Sequence, residues 1–465
     1  MTQIKIVGPS YQLRVRKADV QRSVNLEPSI VESGSGKAPS ILQSTAGLAL
    51  FGNAGAPIRG MFTTKNGRLY VVAGSALKEV SAAAAFTGRG TLSTSSGAVG
   101  MSQNLNQLIV TDGVNGYVSL FATNAFAPIG GAGWLGSRRV TVLDGRAVFI
   151  KPGSQMFYLS AVDDATVLDV LEFASAESSP DNLVVPIADH GQLFLLGTSS
   201  GEVWDNVGGT DFPFARNNGA RIETGCEAPF SAQKLDNTIF WLGADENGGG
   251  IVWKFSGYTP TRISTQAIEE VLQSIPDRSE SIAYVYQQAG HTYYCLQVPG
   301  LDTTWCYDVA SGAWHERAEL VGGEYEQHRA QFHAYAFGKH LVGGADGKIY
   351  EYLPTANTNA GDVLVRDRIS PHNAVPNYAM IGFNSLQVDC PVGLAKPDGS
   401  APYMMMRYSD DGGESWGNWR TASIGAAGRR LTRAMFRRLG QGRDRVWQLR
   451  CTDDCQFAII GANIE

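Results

Sequence analysis

The sequence is poor in the features that mark secreted, membrane-spanning and helical proteins. Its six cysteines follow no repeated spacing and form no CxxC pair, which argues against a disulfide framework and against a zinc site. No run of about eighteen apolar residues occurs, so we expect no membrane span. The opening residues lack an apolar core of signal-peptide length, so we expect synthesis in the cytoplasm and no export by a recognisable signal.

Charge is also scarce. Charged residues make up 18% of the chain and the formal net charge is -6, so the whole molecule has no general attraction for polyphosphate. Long charged amphipathic runs are few, which argues against a helical protein. Any contact with nucleic acid must therefore be local.

One stretch near the C-terminus is basic because acidic residues are sparse within it. Its arginines are Arg429, Arg430, Arg433, Arg437, Arg438, Arg443, Arg445 and Arg450. We predict that the first five form a basic band that faces phosphate in a channel or the acidic surface of a neighbouring subunit. The alternative, arginines solvated on the outer face of a strand, carries equal weight. Adjacent strand residues point to opposite faces, so Arg437 and Arg438 are not expected to line one surface together.

Glycine, in contrast, is abundant, with 54 residues. Between about Leu42 and Leu353, short apolar or alternating runs are separated by Gly, Asn and Asp turns, as in NGRLYVVAG and GQLFLLGTSSGEVW. Such turns supply the positive φ that two-residue hairpins need. A ring of small four-stranded sheets solves the edge-strand problem, so we predict a mainly β fold built on a β-propeller. An irregular sandwich is the alternative, and the spacing does not determine the number of blades.

The chain divides into four predicted regions. Residues 1–40 form an N-terminal arm that packs on the C-terminal platform, and residues 41–354 form the propeller-like domain. A composition rich in Asn, Thr, Pro and charge indicates a linker over residues 355–377. Residues 378–465 contain five strand-like runs, enough for a β-sandwich platform. Within the propeller region, residues 264–275 predict a short helix that is capped by serine and ended by a proline.

A short motif in the platform, YSDDGGESW, matches the Asp-box pattern through Ser409, Asp411, Gly413 and Trp416. In such a hairpin the aspartate accepts hydrogen bonds from turn amides while the aromatic ring packs beneath, so the motif indicates a folding device. Sialidases also carry Asp-boxes, but in several copies and with an arginine cluster around a sugar carboxylate. A single copy argues against a glycosidase.

No pattern of residues indicates a catalytic, cofactor-binding or metal site. Adjacent acids such as Asp163 and Asp164 lie beside turn residues, whereas acid–base catalysis needs two carboxyl groups at a defined separation across a cleft. The histidines from His291 to His340 lack metal-ligand spacing, and no serine occupies a GxSxG elbow. We expect the cysteines to be reduced and buried. We expect these tryptophans to be core residues: Trp204, Trp241, Trp253, Trp305 and Trp314.

Several stretches together resemble the packaged-DNA stabilization family of short-tailed bacteriophages, whose members form the tail hub or nozzle. These stretches include VNLEP near Asn25, PIRGMF through Arg59, LYVVAG at Tyr70, LDGRAVF through Gly145, ISTQAIEEVL, and the close from YSDDGGESW to RRLGQGRDRVWQL. The run from Phe157 to Cys226 is the most informative. It keeps the order and spacing of Asp163, Phe173, Ala176, Glu177, Asp181, Glu202, Trp204, Pro213, Phe214 and Gly225.

The resemblance implies a structural subunit of the virion tail, made in the host cytoplasm, and not an enzyme. It implies a homohexameric ring beneath the portal and adaptor proteins, with the propeller outside and the platform near the axis. This ring would carry spikes or fibres and a plug or needle, and would retain packaged double-stranded DNA in its lumen until ejection. The alternative is a glycan-binding or glycan-degrading phage propeller, in which acidic and aromatic side chains should converge in a central cleft.

Overall fold

The computed structural model describes residues 2–177, 179–209, 212–374 and 376–465. Within these ranges the regular structure is β-strand apart from one α-helix and one 3-10 turn. Neither of these two helical segments is long and apolar enough to cross a membrane. The prediction of a mainly β protein is confirmed.

Five strands precede the propeller. They are β1 Thr2–Ile4, β2 Tyr11–Gln12, β3 Val20–Val24, β4 Leu26–Ile30 and β5 Ser40–Ser44. β1 pairs with the last strand of the chain, and β4 pairs with β5. The N-terminal segment therefore forms sheet contacts with the C-terminal region through β1 and β5, while β3 pairs with a strand of the propeller.

Seven four-stranded units in the described residues make up the next part of the chain. The strands up to the end of the fourth unit are β6 Gly47–Asn53, β7 Ile58–Thr63, β8 Leu69–Ala73, β9 Ala76–Val80, β10 Phe86–Thr91, β11 Gly100–Gln103, β12 Gln107–Thr111, β13 Gly116–Leu120, β14 Phe126–Ile129, β15 Val140–Leu143, β16 Arg146–Ile150, β17 Met156–Ala161, β18 Asp164–Ser175, β19 Leu183–Asp189, β20 Gln192–Gly197, β21 Gly201–Asn206 and β22 Phe214–Ile222. The elements that complete the ring are β23 Gln233–Leu235, β24 Thr238–Asp245, β25 Gly248–Ser256, β26 Thr259–Arg262, α1 Gln266–Gln273, β27 Ile282–Gln288, β28 His291–Gln297, β29 Thr304–Asp308, β30 Ala313–Val321, β31 Glu324–Gln327, β32 Phe332–Ala336, β33 Lys339–Gly343 and β34 Lys348–Leu353.

These units are the blades of the propeller, and the ring closes with strands from both ends of the domain. Blades one to six are β7–β10, β11–β14, β15–β18, β19–β22, β23–β26 and β27–β30. Blade seven consists of β32, β33, β34 and β6, with Gly47 opposite Leu353. Its inner strand, β32, packs beside the inner strand of blade one, β7. The sequence pattern left the number of blades open, and the described residues form seven.

The first hairpin of five blades turns on two residues that both have positive φ. These pairs are Asp144–Gly145, His190–Gly191, Asp236–Asn237, Ala289–Gly290 and Phe337–Gly338. Two consecutive residues with positive φ define a type I′ turn, whose twist matches that of the flanking strands. The Gly, Asn and Asp residues follow the turn chemistry that the sequence predicted, whereas Ala289 and Phe337 carry no such signal.

Neighbouring blades bury apolar clusters between them. Between blades one and two, Tyr70 and Val72 pack with Leu108 and Val110. All four side chains are fully buried. Such clusters use residues from nearby parts of the chain. The tryptophans expected in the core are buried or partly buried: Trp204, Trp241, Trp253, Trp305 and Trp314.

The helix α1 lies where the sequence predicted it, but its cap is one residue later. The Thr265 hydroxyl accepts the backbone N–H of Ile268 and so forms the N-cap. Ser264, the expected cap, donates its hydroxyl to the Glu269 carboxylate at 2.6 Å. Two hydroxyl residues in succession made the two caps hard to distinguish from sequence.

The C-terminal strands form the predicted β-sandwich. The elements are β35 Thr358–Asn359, β36 Asp362–Val363, β37 Arg366–Ile369, β38 Asn373–Ala374, the 3-10 turn Pro376–Tyr378, β39 Ile381–Gly382, β40 Ser385–Asp389, β41 Tyr403–Ser409, β42 Arg420–Ser423, β43 Ala434–Arg437, β44 Gln441–Gly442, β45 Asp444–Cys451, β46 Ala458–Ile459 and β47 Gly461–Ile464. One sheet has the order β1-β47-β40-β43 and the other includes β37-β45-β41-β42. Their apolar side chains, among them Leu386, Met404 and Trp447, form one shared core.

The segment predicted as a linker, residues 355–377, contains strands that pair with both modules. β35 pairs with β6 of blade seven, and β37 pairs with β3 and β45. β3 also pairs with β30, so one sheet continues from blade six into the platform. Arg366, Asp367 and Arg368 on β37 are at most 2% exposed. β37 lies inside the predicted linker but is a buried strand, and its charges face protein partners and not water.

Candidate interface on the platform

The predicted basic band lies on β43 and on the turn that leads into it. β43 is the outermost strand of the sheet β1-β47-β40-β43. The band consists of Arg429, Arg430, Arg433, Arg437 and Arg438, and all five side chains are exposed. Among the described residues, none of the five forms an ion pair with a carboxylate. Leu431, which lies among them, is 97% exposed. An uncompensated positive strip at a sheet edge is suited to an anionic surface.

Close backbone contacts with Gly393 hold the turn that carries Arg429 and Arg430. A Cβ atom on Gly393 would lie 2.9 Å from the carbonyl carbon of Arg429, so only glycine allows this close approach. The Gly428 N–H donates to the Gly393 carbonyl at 3.1 Å. Gly425, at a φ of 92°, starts the turn in a conformation that favours glycine. These contacts fix the backbone, so the two guanidinium groups extend from a defined position.

Arg437 and Arg438 are not related by strand alternation, contrary to the prediction. β43 ends at Arg437, which lies opposite Ser385, and Arg438 has a φ of 57°. The left-handed residue turns the chain, and both side chains are exposed. The Arg420 guanidinium donates to the carbonyl oxygens of both residues, at 3.0 and 2.9 Å. The two arginines therefore belong to one corner of the molecule.

Two arginines of the basic stretch do not belong to the band. Arg445 is 1% exposed, and its guanidinium carbon lies 3.8 Å from the centre of the Tyr408 ring. Its Nε donates to Asp410 at 2.6 Å. Arg450 is paired with the buried Asp367. Sequence spacing did not separate buried from exposed arginines because the acids that pair with them are distant in the chain or belong to other elements.

Asp367 is the centre of a buried polar network between the modules. It accepts hydrogen bonds from Gln448 Nε2 at 2.8 Å and from Arg450 Nε at 2.8 Å within the platform. The Tyr325 hydroxyl of β31, in the propeller, donates to it at 2.7 Å. On the adjoining strand, Arg22 pairs with Glu316 of β30 at 2.5 Å. This polar joint links the propeller, the N-terminal segment and the platform.

The Asp-box residues form the loop between β41 and β42. Asp411 Oδ1 accepts the backbone N–H groups of Glu414 at 3.0 Å and Ser415 at 2.9 Å, and the Ser409 hydroxyl at 2.6 Å. These hydrogen bonds hold the pKa of Asp411 well below its usual range. Gly413, at a φ of 87°, accommodates the turn. The carboxylate is fully used in holding the loop.

The aromatic ring of the Asp-box is partly buried and faces an arginine. The guanidinium carbon of Arg407 lies 5.0 Å from the centre of the Trp416 ring and 4.5 Å from that of Trp419. The arginine stacks on both rings, so this corner of the loop is held by cation–π contacts. The sequence motif gave no sign of Arg407.

The adjacent acids singled out in the sequence, Asp163 and Asp164, lie at the turn from β17 to β18 and bind residues of the β11–β12 hairpin in the neighbouring blade. Asp163 accepts the backbone N–H of Leu105 at 3.1 Å, and Asp164 accepts Gln107 Nε2 at 3.0 Å. Among the described residues, no group of three or more His, Cys, Asp and Glu side chains is placed to hold a metal ion. His333 and His340, which the sequence spacing did not connect, meet across a hairpin at 3.2 Å. Burial lowers the pKa of both rings, and that of His333 to about 3.

The centre of the propeller contains a cavity of about 270 Å³. The residues that line it include Met61, Phe230 and Tyr284, with Arg139 as the charged residue. No carboxylate lies among the described residues that line it. The convergence of acids and aromatic rings that a glycan-cleaving centre needs is not found at this position.

Comparison with protein-family models gave two adjacent matches. Residues 17–357 match the model described as bacteriophage P22 Gp10, beta-propeller, and residues 372–465 match the model described as bacteriophage P22 Gp10, beta-sandwich. The comparison of the sequence with curated proteins gave no match. The two family matches correspond to the two modules of the fold.

The solved structures that match this chain are distant from it. The computationally designed protein Ika8 is 12% identical, with 76% of this chain and 100% of that chain covered and a TM-score of 0.39. The N-terminal domain of Nup159 is 9% identical, with 66% and 95% covered and a TM-score of 0.40. The extracellular domain of BT4673 from B. thetaiotaomicron is 8% identical, with 88% and 62% covered and a TM-score of 0.45. Similarities at this level carry no argument about function.

Proposed function

This chain belongs to the bacteriophage P22 Gp10 family of structural phage tail proteins, and we propose that it is the hub, or nozzle, subunit of the tail. It is a component of the virion. In this proposal six copies form a ring that extends the channel of the portal and adaptor proteins. The ring retains packaged double-stranded DNA, carries tail spikes or fibres, and binds a plug or needle until DNA ejection.

The observation that carries the proposal is the exposed basic band at the edge of the platform. Its five arginines have no carboxylate partner among the described residues, while the chain as a whole has a net charge of -6. In a ring of identical subunits, such a band can contact either the acidic surface of the next copy or the phosphates in the lumen. A single local band also suits a channel through which DNA must leave, because a wholly basic lumen would bind phosphate too strongly.

The polar joint supports the same role. Tyr325 of the propeller and Asp367 of the platform are hydrogen bonded, and β3 continues the sheet from one module to the other. A subunit with two modules joined by buried contacts transmits load without a hinge between them. Loops at both faces of a stiff propeller offer attachment points for spikes or fibres.

Neither the centre of the propeller nor the Asp-box favours the glycan-binding or glycan-degrading alternative. The central cavity has no carboxylate among the described lining residues, and the Asp-box carboxylate is occupied by its own loop. The proposal therefore includes no catalytic step.

The test is charge reversal in the phage. Replacement of Arg429→Glu together with Arg430→Glu should lower infectious titre at least tenfold, because the band would repel the anionic surface that it contacts. Electron microscopy and DNA quantification of the particles separate the two possible contacts. Loss of the ring indicates contact between copies, whereas complete particles that leak DNA indicate contact with phosphate.

The matched control reverses two exposed lysines of the propeller, Lys65→Glu and Lys151→Glu, so that the change in net charge is the same. Circular dichroism should show the same fold for both variants, since all four side chains are exposed. Wild-type titre and DNA content in the arginine variant would refute a role for the basic band.

A further inference from the structure

Two of the six cysteines face each other across neighbouring strands in blade six. Cys295 on β28 lies directly opposite Cys306 on β29, and their sulfur atoms are in contact at 2.9 Å. Both residues are 0% exposed. The sequence gave no sign of this pair, because the two residues belong to no motif and their positions match only when the hairpin register is known.

The strand register by itself suits a covalent link. Directly opposite residues of antiparallel strands have Cα atoms about 4.5 or 5.5 Å apart. A disulfide spans Cα separations of about 4.4–6.8 Å. The backbone therefore needs no rearrangement for Cys295 and Cys306 to be joined.

The other paired cysteines differ in geometry. Cys451 and Cys455 are separated by a bend in the chain, and their sulfur atoms lie 4.0 Å apart. Arg366 Nη2 donates to the Cys451 sulfur at 3.4 Å, so that thiol already has a partner. Cys451 and Cys455 therefore serve as the comparison pair for Cys295 and Cys306 within the same protein.

The surroundings of the blade-six pair also favour reaction at one sulfur. Burial raises the pKa of Cys295, but the hydrogen bond from Cys306 and the nearby Arg317 guanidinium outweigh it, so the pKa of Cys295 lies below its ordinary value. Arg317 is 1% exposed and stacks on the rings of Tyr286 and Tyr293. A thiolate is the species that attacks a disulfide.

We propose that Cys295 and Cys306 form a disulfide that staples blade six after the protein leaves the reducing cytoplasm. The inference rests on the assignment to the virion only for its timing, since a virion passes from the cytoplasm to an oxidising exterior. The oxidant is a low-molecular-weight disulfide. Blade six is the blade whose sheet continues through β3 into the platform, so the staple would strengthen the propeller beside the polar joint.

The reaction is two successive thiol–disulfide exchanges. Cys295 loses its proton to water, and its sulfur attacks one sulfur of the small disulfide. A mixed disulfide forms, the original S–S bond breaks, and one small thiolate leaves and takes up a proton. The Cys306 sulfur, losing its own proton, then attacks the Cys295 sulfur and displaces the second small thiol. Two protein thiols are oxidised and one small disulfide is reduced to two thiols.

The test uses purified full-length protein incubated with hydroxyethyl disulfide, with samples taken over hours and in rising subdenaturing urea. Peptide mass spectrometry should show a peptide linked through Cys295 and Cys306, and the count of free thiols should fall from six to four. Because both sulfurs are buried, the reaction should be faster in urea, which favours opening of the hairpin. The oxidised protein should unfold at a higher temperature than the reduced protein.

Two variants test whether the staple causes the shift. Cys306→Ser should abolish both the linked peptide and the rise in unfolding temperature, whereas Cys451→Ser should leave both unchanged. Six free thiols throughout, a mixed disulfide that does not resolve, or a link only between Cys451 and Cys455 would each overturn the proposal. The assay does not require a ring, so its outcome is independent of the proposed hub function.

Discussion

The propeller and the polar joint are stabilised by contacts of different range along the chain. In the propeller, blades one to six are runs of consecutive strands, and apolar clusters join neighbouring blades. At the joint, β3 near the N-terminus pairs with β30 and β37, and β37 pairs with β45. The joint thus depends on charged residues that are buried together only in the complete fold.

This difference decides what a single substitution does. Removing an apolar side chain from a blade leaves a cavity that nearby residues can partly fill. Removing one member of a buried ionic network leaves its partners charged, buried and unpaired. We therefore expect the polar joint to be more sensitive to substitution than a blade. Disruption of the joint should affect the propeller and the platform at once.

The largest effect is expected for Asp367→Ala. Arg450, Gln448 and Tyr325 would all lose the carboxylate that accepts their hydrogen bonds. Breaking a buried charge pair costs about 3–5 kcal/mol. Urea unfolding followed by tryptophan fluorescence should show this loss, and hydrogen exchange should increase in both β31 and β45.

The control for this variant is Glu246→Ala, which removes an exposed carboxylate from the β24–β25 hairpin of blade five, away from the joint. Its free energy of unfolding should stay within about 0.5 kcal/mol of the wild type. Equal stability of the two variants would mean that the joint is not energetically important, and the contrast drawn above would fail.

A smaller and more local effect is expected for Leu108→Ala. Leu108 is 0% exposed in the cluster between blades one and two. The lost burial and the cavity together should cost about 3 kcal/mol of unfolding free energy. Hydrogen exchange should increase in blades one and two, while the platform strands keep their protection.

Leu105→Ala is a matched control in the same hairpin, because Leu105 is 77% exposed. It should change the free energy of unfolding by less than about 0.5 kcal/mol. If Leu108→Ala instead loosened β45 as much as β12, the propeller would not be the more locally stabilised region.

The same contrast explains what the sequence could predict. Turn residues such as Asp144 and Gly145 act on their immediate neighbours, so the hairpins and the propeller followed from the local pattern. The burial of Asp367 and Arg368 could not be predicted, because their partners come from distant strands. A composition rich in charge therefore indicated a linker where β37 is a central strand.

The arginines of the candidate site show the same contrast between local and distant contacts. The exposure of Arg429 and Arg430 agrees with the simple expectation that arginine is solvated when no partner is near. Arg445 and Arg450 are buried because Asp410 and Asp367 fold against them, which the spacing of the arginines does not reveal. Only the Asp-box, a motif whose partners lie within a few residues, could be placed side chain by side chain.

The smallest effect is expected for Asp411→Ala, which tests a local device within the platform. Loss of the turn hydrogen bonds should cost about 1 kcal/mol or less, because the loop is close to solvent and the carboxylate is screened. The pKa of Asp411 is lowered in the folded state, so its contribution is complete above the pKa of an unfolded aspartate, about 3.9, and is lost as pH falls toward the folded pKa. Urea unfolding of the variant and the wild type should therefore differ at about pH 6 and converge toward about pH 2.

Glu414→Ala, which removes an exposed carboxylate from the same loop, should show no such convergence because it starts with almost no difference in unfolding free energy from the wild type. A gap between Asp411→Ala and the wild type that persists unchanged at low pH would mean that the charge of Asp411 does not hold the loop, and the Asp-box would then not be a local stabilising element comparable to the propeller hairpins.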